Sequence, residues 1–190
     1  MQMKLVFISA ALINNVVLSR SLGVTPFIGA SKHIESSVGL GLTVTIVMTL
    51  SAAIVFAVNN FVLYPLGVTY LSLIVFVLVV VIIVQLAGLY LNKAGSDLRK
   101  QMGISLPLVT TNCAVLGVLL INAEQFGDSF ALTIANALGA AAGFALVMVL
   151  FAGVRERIEY NQVSANFSGI PIAMIAAGLM SIVFFGFSGF

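Results

Sequence analysis

The stretch that decides the fold reads Ile104-Ser105-Leu106-Pro107-Leu108-Val109-Thr110-Thr111-Asn112-Cys113-Ala114-Val115-Leu116-Gly117-Val118-Leu119-Leu120-Ile121. It is close to the length of a helical bilayer crossing and apolar towards its end, yet Pro107 and the run Thr110-Thr111-Asn112-Cys113 interrupt it. A broken backbone at membrane depth survives only where protein or a polar cavity satisfies the freed polar groups. The stretch therefore predicts a broken helix held inside a bundle of membrane helices. Leu5–Leu22 has the same character: Asn14, Asn15 and Ser19 lie within it, and Gly23 and Pro26 follow.

Composition agrees with a lipid environment. Hydrophobic residues make up 61% of the chain and charged residues 7%, with a mean hydropathy of +1.20. A soluble domain, with roughly a quarter of its residues charged, could not hide so much apolar surface. The formal charge of +2 is small and scattered, which excludes the basic footprint of a nucleic-acid binder. A single cysteine excludes an internal disulfide. Met1 to Ile13 carries Lys4 and a short apolar run, as a signal peptide does, but Asn14-Asn15 interrupts the run and no small-x-small cleavage site follows. It reads as a retained first span.

Apolar stretches long enough to cross a bilayer fall near Leu5–Leu22, Val38–Val58, Val68–Leu91, Ile104–Ile121, Phe130–Val154 and Ile170–Phe190. The predicted fold is all-α: one integral membrane domain over residues 1–190 with six spans, the first and fourth broken and placed inside the bundle. Arg20 and Lys32 follow span one, Lys93, Arg99 and Lys100 follow span three, and Arg155 and Arg157 follow span five; Lys4 alone lies opposite. The positive-inside rule then puts both termini outside the cytoplasm, in a multi-pass protein of a prokaryotic plasma membrane. Thr25-Pro26-Phe27-Ile28-Gly29 matches Cys113-Ala114-Val115-Leu116-Gly117 in pattern, and each segment leads to a glycine-containing span (Gly39 and Gly41; Gly139 and Gly143). Three spans per half is odd, so halves of about 1–95 and 96–190 enter from opposite faces. Inverted repeats with broken helices at matching places direct attention to a site near the midplane.

Cys113 is the candidate for chemistry. A lone cysteine in an apolar helix is usually a small packing residue. Here it follows Thr110-Thr111-Asn112, residue types that cap helix starts. A thiol at such a start sits by the positive end of the helix dipole, where a thiolate is stabilised. Thr25 holds the matching place in the first half, and Thr25-Pro26 reads as an N-cap followed by proline at the first helical position. Asn14 and Asn15 are expected to bond across neighbouring helices, and Gly139-Ala140-Ala141-Ala142-Gly143 to let two helices approach closely. His33 reads as a solvated loop residue, Glu124 and Asp128 as external loop residues, and Arg155-Glu156-Arg157 as a snorkelling anchor or partner surface. Nucleotide fingerprints, His/Glu metal helices and nucleophile–base pairs are absent from the sequence. The residues by themselves leave transport and electron transfer both open.

At these same positions the chain resembles the family formed by the A subunit of the Rnf ion-translocating oxidoreductase complex. More distantly, it is similar to the E subunit of the sodium-pumping NADH:quinone reductase. The resemblance rests on Ile13-Asn14-Asn15-Val16-Val17-Leu18, on Leu22 to Lys32, on Leu106 to Gly117, on Val147 to Ala152, on Arg155-Glu156-Arg157, and on Ala177-Gly178-Leu179-Met180 through Phe187-Ser188-Gly189. It implies a membrane subunit paired with the homologous six-span E subunit of the Rnf complex and assembled with its B, C, D and G subunits. It also implies a [2Fe–2S] cluster shared between the pair, with each chain offering two cysteines. Electrons of ferredoxin or NADH would cross this arm, coupled to sodium or proton movement. Cys113, with Asn112 before it, falls on the second family cysteine; Thr25 stands where the first would be, a departure from the family pattern. A small inverted-repeat transporter or channel, or a non-redox scaffold subunit, are the competing classes.

Overall fold

The computed structural model describes residues 2–31, 34–93, 109–110, 112–159, 167 and 169–186. Among these the chain is helical and contains no strand. In order, the helices are α1 (Gln2–Ile8), α2 (Val24–Ala30), α3 (Ile34–Val58), α4 (Ser72–Lys93), α5 (Cys113–Gln125), α6 (Phe130–Glu159) and α7 (Ile170–Phe185). A π-helical turn, Ser9–Ile13, prolongs α1, and another, Asn59–Leu63, carries α3 on to Leu66. Ile34–Leu66, Thr69–Leu89 and Phe130–Glu159 are long and apolar enough to cross a membrane; Gln2–Ile13, Cys113–Gln125 and Ile170–Phe185 are shorter apolar helices.

The centre of the molecule is the α3–α6 pair, which makes its most extensive contact. The two run antiparallel. The N–H of Ile34 at the start of α3 donates to Glu156 near the end of α6, Gly41 packs against Ala145, and Phe56 meets Phe130 edge-on at 5.3 Å. Their burial patterns coincide: Leu40 to Ala52 and Ala140 to Ala152 follow the same order of buried, intermediate and exposed positions at every step. Both present an exposed row at four-residue spacing, Leu42, Ile46 and Leu50 in α3, and Ala142, Leu146 and Leu150 in α6. Such a row is the lipid-facing stripe of a membrane helix, and the core lies on the other side of each helix. At 1.5 Å per residue α6 is about 45 Å long, against a hydrocarbon slab of about 30 Å.

Glycine sets the remaining close contacts. A Cβ on Gly139 would lie 2.5 Å from the Phe7 carbonyl oxygen, and one on Gly143 would collide with the Ala11 carbonyl. The GxxxG segment thus seats α1 and its π-turn backbone-to-backbone on α6, the role its sequence predicts. The burial of span one differs from expectation. Met3, Leu5, Phe7 and Ile8 are exposed, because only the side facing α6 is covered. What is buried is the break itself, from Asn15 to Leu18.

Span boundaries shift for the same reason. Helix stops at Ile13, ten residues before α2 begins at Val24, and α5 runs from Cys113 to Gln125, beyond the Ile121 expected. The asparagine pair bonds within the break and not across helices: Asn15 Nδ2 donates to the Ala11 carbonyl, Asn15 Oδ1 accepts from the N–H groups of Val17 and Leu18, and Asn14 Nδ2 donates to Ser9 Oγ. A chain that stops being helical must satisfy its own freed donors first, and asparagine does so at short range. Ser181 of α7 adds a bond from its hydroxyl to the Leu18 carbonyl at 2.8 Å. Lys32, His33, the 94–108 segment with Arg99, Lys100 and Pro107, Thr111, and the ending Phe187-Ser188-Gly189 lie outside the described residues.

A candidate cofactor site where two helix starts meet

Gly23 has a left-handed backbone (φ 78°, ψ 24°), and α2 begins at the next residue. Glycine alone adopts this conformation without steric cost. Gly23, and not Thr25, therefore holds the N-cap position; Thr25 is the second helical residue and Pro26 the third. Proline is still tolerated there, because the first N–H groups of a helix have no intrahelical partner. Thr25 is exposed and Pro26 buried.

The second start is built differently. Asn112 caps α5 from extended backbone, and its Oδ1 accepts from the N–H of Ala114 at 3.0 Å. The cap expected from Thr110-Thr111-Asn112 is thus Asn112 itself. Cys113 follows as the first helical residue, with an exposed thiol.

The two starts touch. The N–H of Gly23 donates to Cys113 Sγ at 3.0 Å, and a Cβ at Gly23 would lie 2.7 Å from Asn112 Oδ1 and 3.0 Å from Ala114 Cβ. The same Cβ would be 3.2 Å from the ring of Phe144, which sits halfway along α6. Two residues remote in sequence, Gly23 and Cys113, thus meet at mid-depth of the longest helix. The thiol accepts a backbone N–H on one side and is open on the other. Asn112 is buried, and its Nδ2 has no hydrogen-bond partner.

Charged residues at the far end of α6 hold α2 in place. Arg155 Nη1 donates to the Ile28 carbonyl at 2.6 Å and to Ser31 Oγ at 2.9 Å, so a cation sits on the last carbonyls of α2. Glu156 Oε1 accepts from the N–H of Ile34 at 3.2 Å, so an anion sits on the first donors of α3. Each charge matches the helix end it meets. Phe27 stacks on Phe151 at 4.1 Å with the rings 17° from parallel, and the Arg155 guanidinium lies 5.8 Å over the Phe151 ring. The half-buried Arg155-Glu156 pair, expected as a snorkelling anchor or partner surface, clamps the ends of α2 and α3.

Residues 3–190 match the model of a family described as Rnf-Nqr subunit, membrane protein. The chain belongs to the Rnf-Nqr family. Among curated relatives, the A subunit of the Na(+)-translocating ferredoxin:NAD(+) oxidoreductase complex of Acetobacterium woodii is 50% identical over 184 residues, covering 97% of this chain and 95% of the relative. The A subunits of the ion-translocating oxidoreductase complexes of Yersinia pseudotuberculosis and Yersinia enterocolitica are each 48% identical over 185 residues, with the same coverage. The resemblance drawn from the asparagine pair and the Cys113 motif holds over nearly the whole chain, and membership makes this a membrane protein.

In this Rnf-Nqr chain Cys113 and Asn112, singled out from sequence, share one site, and Gly23 was missed as its third member. Its signal was present: a glycine two residues before Thr25-Pro26 after a polar break fits a left-handed reversal. The clamp had a weaker signal, since nothing in Arg155-Glu156-Arg157 says which helix ends it will face. Arg20, counted from sequence with the basic residues at the Arg155 end, lies on the opposite side of Gly23: it lines a cavity with Leu5, Gln125 and Phe126, near where α6 starts. The non-helical segment between α1 and α2 folds back on itself, with the N–H of Leu22 donating to the Val16 carbonyl, and carries Arg20 to that cavity before α2 resumes along α6.

Proposed function

We propose that this chain is a membrane subunit of an oxidoreductase complex that couples electron transfer between ferredoxin and NAD to sodium or proton translocation, and that Cys113 gives one thiolate to a [2Fe–2S] centre shared with a homologous six-span partner. Family membership and the printed names of its half-identical relatives support the first part. The carrying observation for the second is the contact between the Gly23 N–H and an exposed Cys113 Sγ midway along α6.

The residues present fit one ligand position of a shared centre. Such a cluster takes four thiolates, this chain holds one, and its thiol is open on the side away from Gly23. An N–H bonded to the sulfur stabilises the thiolate and raises the potential of a cluster it ligates. When bound, the group would supply one-electron transfer at mid-depth. The chain's own part is structural and electrostatic. Asn112 fixes the start of α5, and Gly23 brings a donor to the sulfur. The Arg155–Glu156 clamp fixes the far end of α2, on which Thr25 stands exposed. Thr25 offers a hard hydroxyl where a soft thiolate suits iron–sulfur chemistry, so the partner's thiolates complete a ligand set that departs from the family pattern at this position.

The inverted repeat is part of this reading. The antiparallel α3–α6 pair with its matched burial, and two broken elements whose starts meet, support two halves of opposite direction. The end carrying Arg155 and Arg157 then faces the cytoplasm, with both termini outside. Electron paramagnetic resonance with iron quantitation on the purified complex tests the cluster. Cys113→Ala abolishes the signal, and Thr25→Cys raises occupancy or resistance to oxidative loss. An unchanged spectrum in Cys113→Ala refutes the assignment.

A further inference from the structure

Arg20 stands in the reversing segment between Leu18, which is buried, and Gly23. It lines a cavity of about 290 Å³ between α1, α5 and α6. The cavity wall on α6 is Asn136 and Ala140, roughly 9 and 15 Å along the helix axis from Phe130. With a slab of about 30 Å centred on α6, that wall begins about 2 Å inside the hydrocarbon boundary on the Phe130 side. An arginine at such depth needs an anion or water, because its guanidinium cannot lose its charge. Among the described residues Arg20 makes no hydrogen bond or ion pair, and none of the residues lining the cavity is a carboxylate.

The rest of the lining divides by chemistry. Ser9, Asn14, Gln125 and Asn136 line the cavity with Arg20, Asn14 already donating once to Ser9 and Asn136 once to Asn122, and Leu5 and Ile121 are among the apolar walls. A free inorganic anion would satisfy the first group and leave the second wet. An amphiphile with an anionic oxygen head and an apolar body satisfies both; membrane phospholipids carry their phosphates just outside the hydrocarbon boundary, at the level of the cavity's outer rim of Gln125 and Phe126, where a snorkelling arginine meets them.

We propose that the Arg20 cavity is a binding site for an anionic phospholipid of the leaflet on the Phe130 side, its phosphate oxygens held by Arg20 and the neighbouring amides and its glycerol–acyl portion lying against α1 and α5. The site lies on this chain's own helices and does not depend on the redox reading. It places a lipid beside the segment that leads into Gly23.

The test uses the assembled complex, purified in detergent and reconstituted with phosphatidylglycerol or phosphatidylcholine vesicles. Native mass spectrometry and phosphorus analysis then count the lipid kept through detergent exchange. Wild type keeps phosphatidylglycerol in preference to phosphatidylcholine. Arg20→Gln lowers that retention about tenfold or more, the expected loss for one charge-assisted contact, and Arg20→Lys keeps most of it. Leu5→Trp, which fills the mouth from an exposed position and leaves Arg20 intact, lowers retention as well, so the outcome does not hang on one variant's assembly. Equal retention in Arg20→Gln and wild type overturns the proposal. So does displacement of the lipid by inorganic phosphate alone, which would make this a free-anion site. Release of a partner protein from Arg20→Gln with lipid retention unchanged also overturns it, because Arg20 would then pair with a partner carboxylate.

Discussion

Replacing Gly23 by alanine tests the meeting of the two helix starts at its tightest point. The native backbone there is left-handed, which costs an L-residue with a side chain about 1–2 kcal/mol. The added methyl would stand 2.7 Å from Asn112 Oδ1, closer than real Cβ contacts come, and a tight 3.0 Å from Ala114 Cβ. Asn112 cannot move freely, because that same oxygen caps α5 through the Ala114 N–H, and losing such a cap costs about 1 kcal/mol. Together the terms predict destabilisation of about 2–3 kcal/mol. In a chain of this size that is a fall of roughly 5–10 °C in melting temperature. The assay is the monodisperse fraction of purified complex surviving a temperature series, read by size exclusion. Gly29→Ala is the internal control. It lies in the same short helix, nothing stands within 4 Å of its added Cβ, and alanine is the better helix former by up to about 1 kcal/mol. Gly23→Ala melting with wild type, or falling together with Gly29→Ala, would refute both the left-handed backbone at Gly23 and its contact with Asn112.

The other contacts yield their own expectations. Gly143→Leu drives a side chain into the Ala11 carbonyl and the Asn15 amide, so α1 should lift from α6 at a cost of roughly 1–3 kcal/mol or more, seen as faster proteolysis near the N-terminus. Arg155→Met strips partners from the Ile28 carbonyl and the buried Ser31 hydroxyl and should cost about 2–3 kcal/mol, whereas Glu156→Gln keeps a neutral acceptor for the Ile34 N–H and should cost less than about 1 kcal/mol. Equal melting of these two variants would remove the case for a clamp. For topology, cysteines introduced at Gln2 and Lys100 in a Cys113→Ser background should label with impermeant maleimide from opposite faces; labelling of both from one face would overturn the inverted arrangement.

Class and the positions of the helix breaks were legible in the residues alone. Lipid-length apolar runs admit only helices, and Asn14-Asn15 and Thr110 to Cys113 could not sit at membrane depth without a break, so all-helical architecture and the interruption of span one follow from composition and spacing. Asn112 as a helix cap and the glycine pair of α6 as a close-approach surface were equally legible, because each acts within one turn or through the mere absence of a side chain. What those breaks face is set by the packing of helices remote in sequence. Gly23 and Cys113 are ninety positions apart, and the N–H···S bond between them follows from α3 and α6 running antiparallel, which no local pattern encodes. That packing also turned Asn14 and Asn15 to local bonds, carried Arg20 to the other half of the bundle, and aimed Arg155 and Glu156 at two helix ends. Apolar periodicity records which face of a helix is covered, but a polar side chain is directed by whichever unsatisfied group the folded backbone brings within reach, and that depends on the crossing of helices distant in sequence.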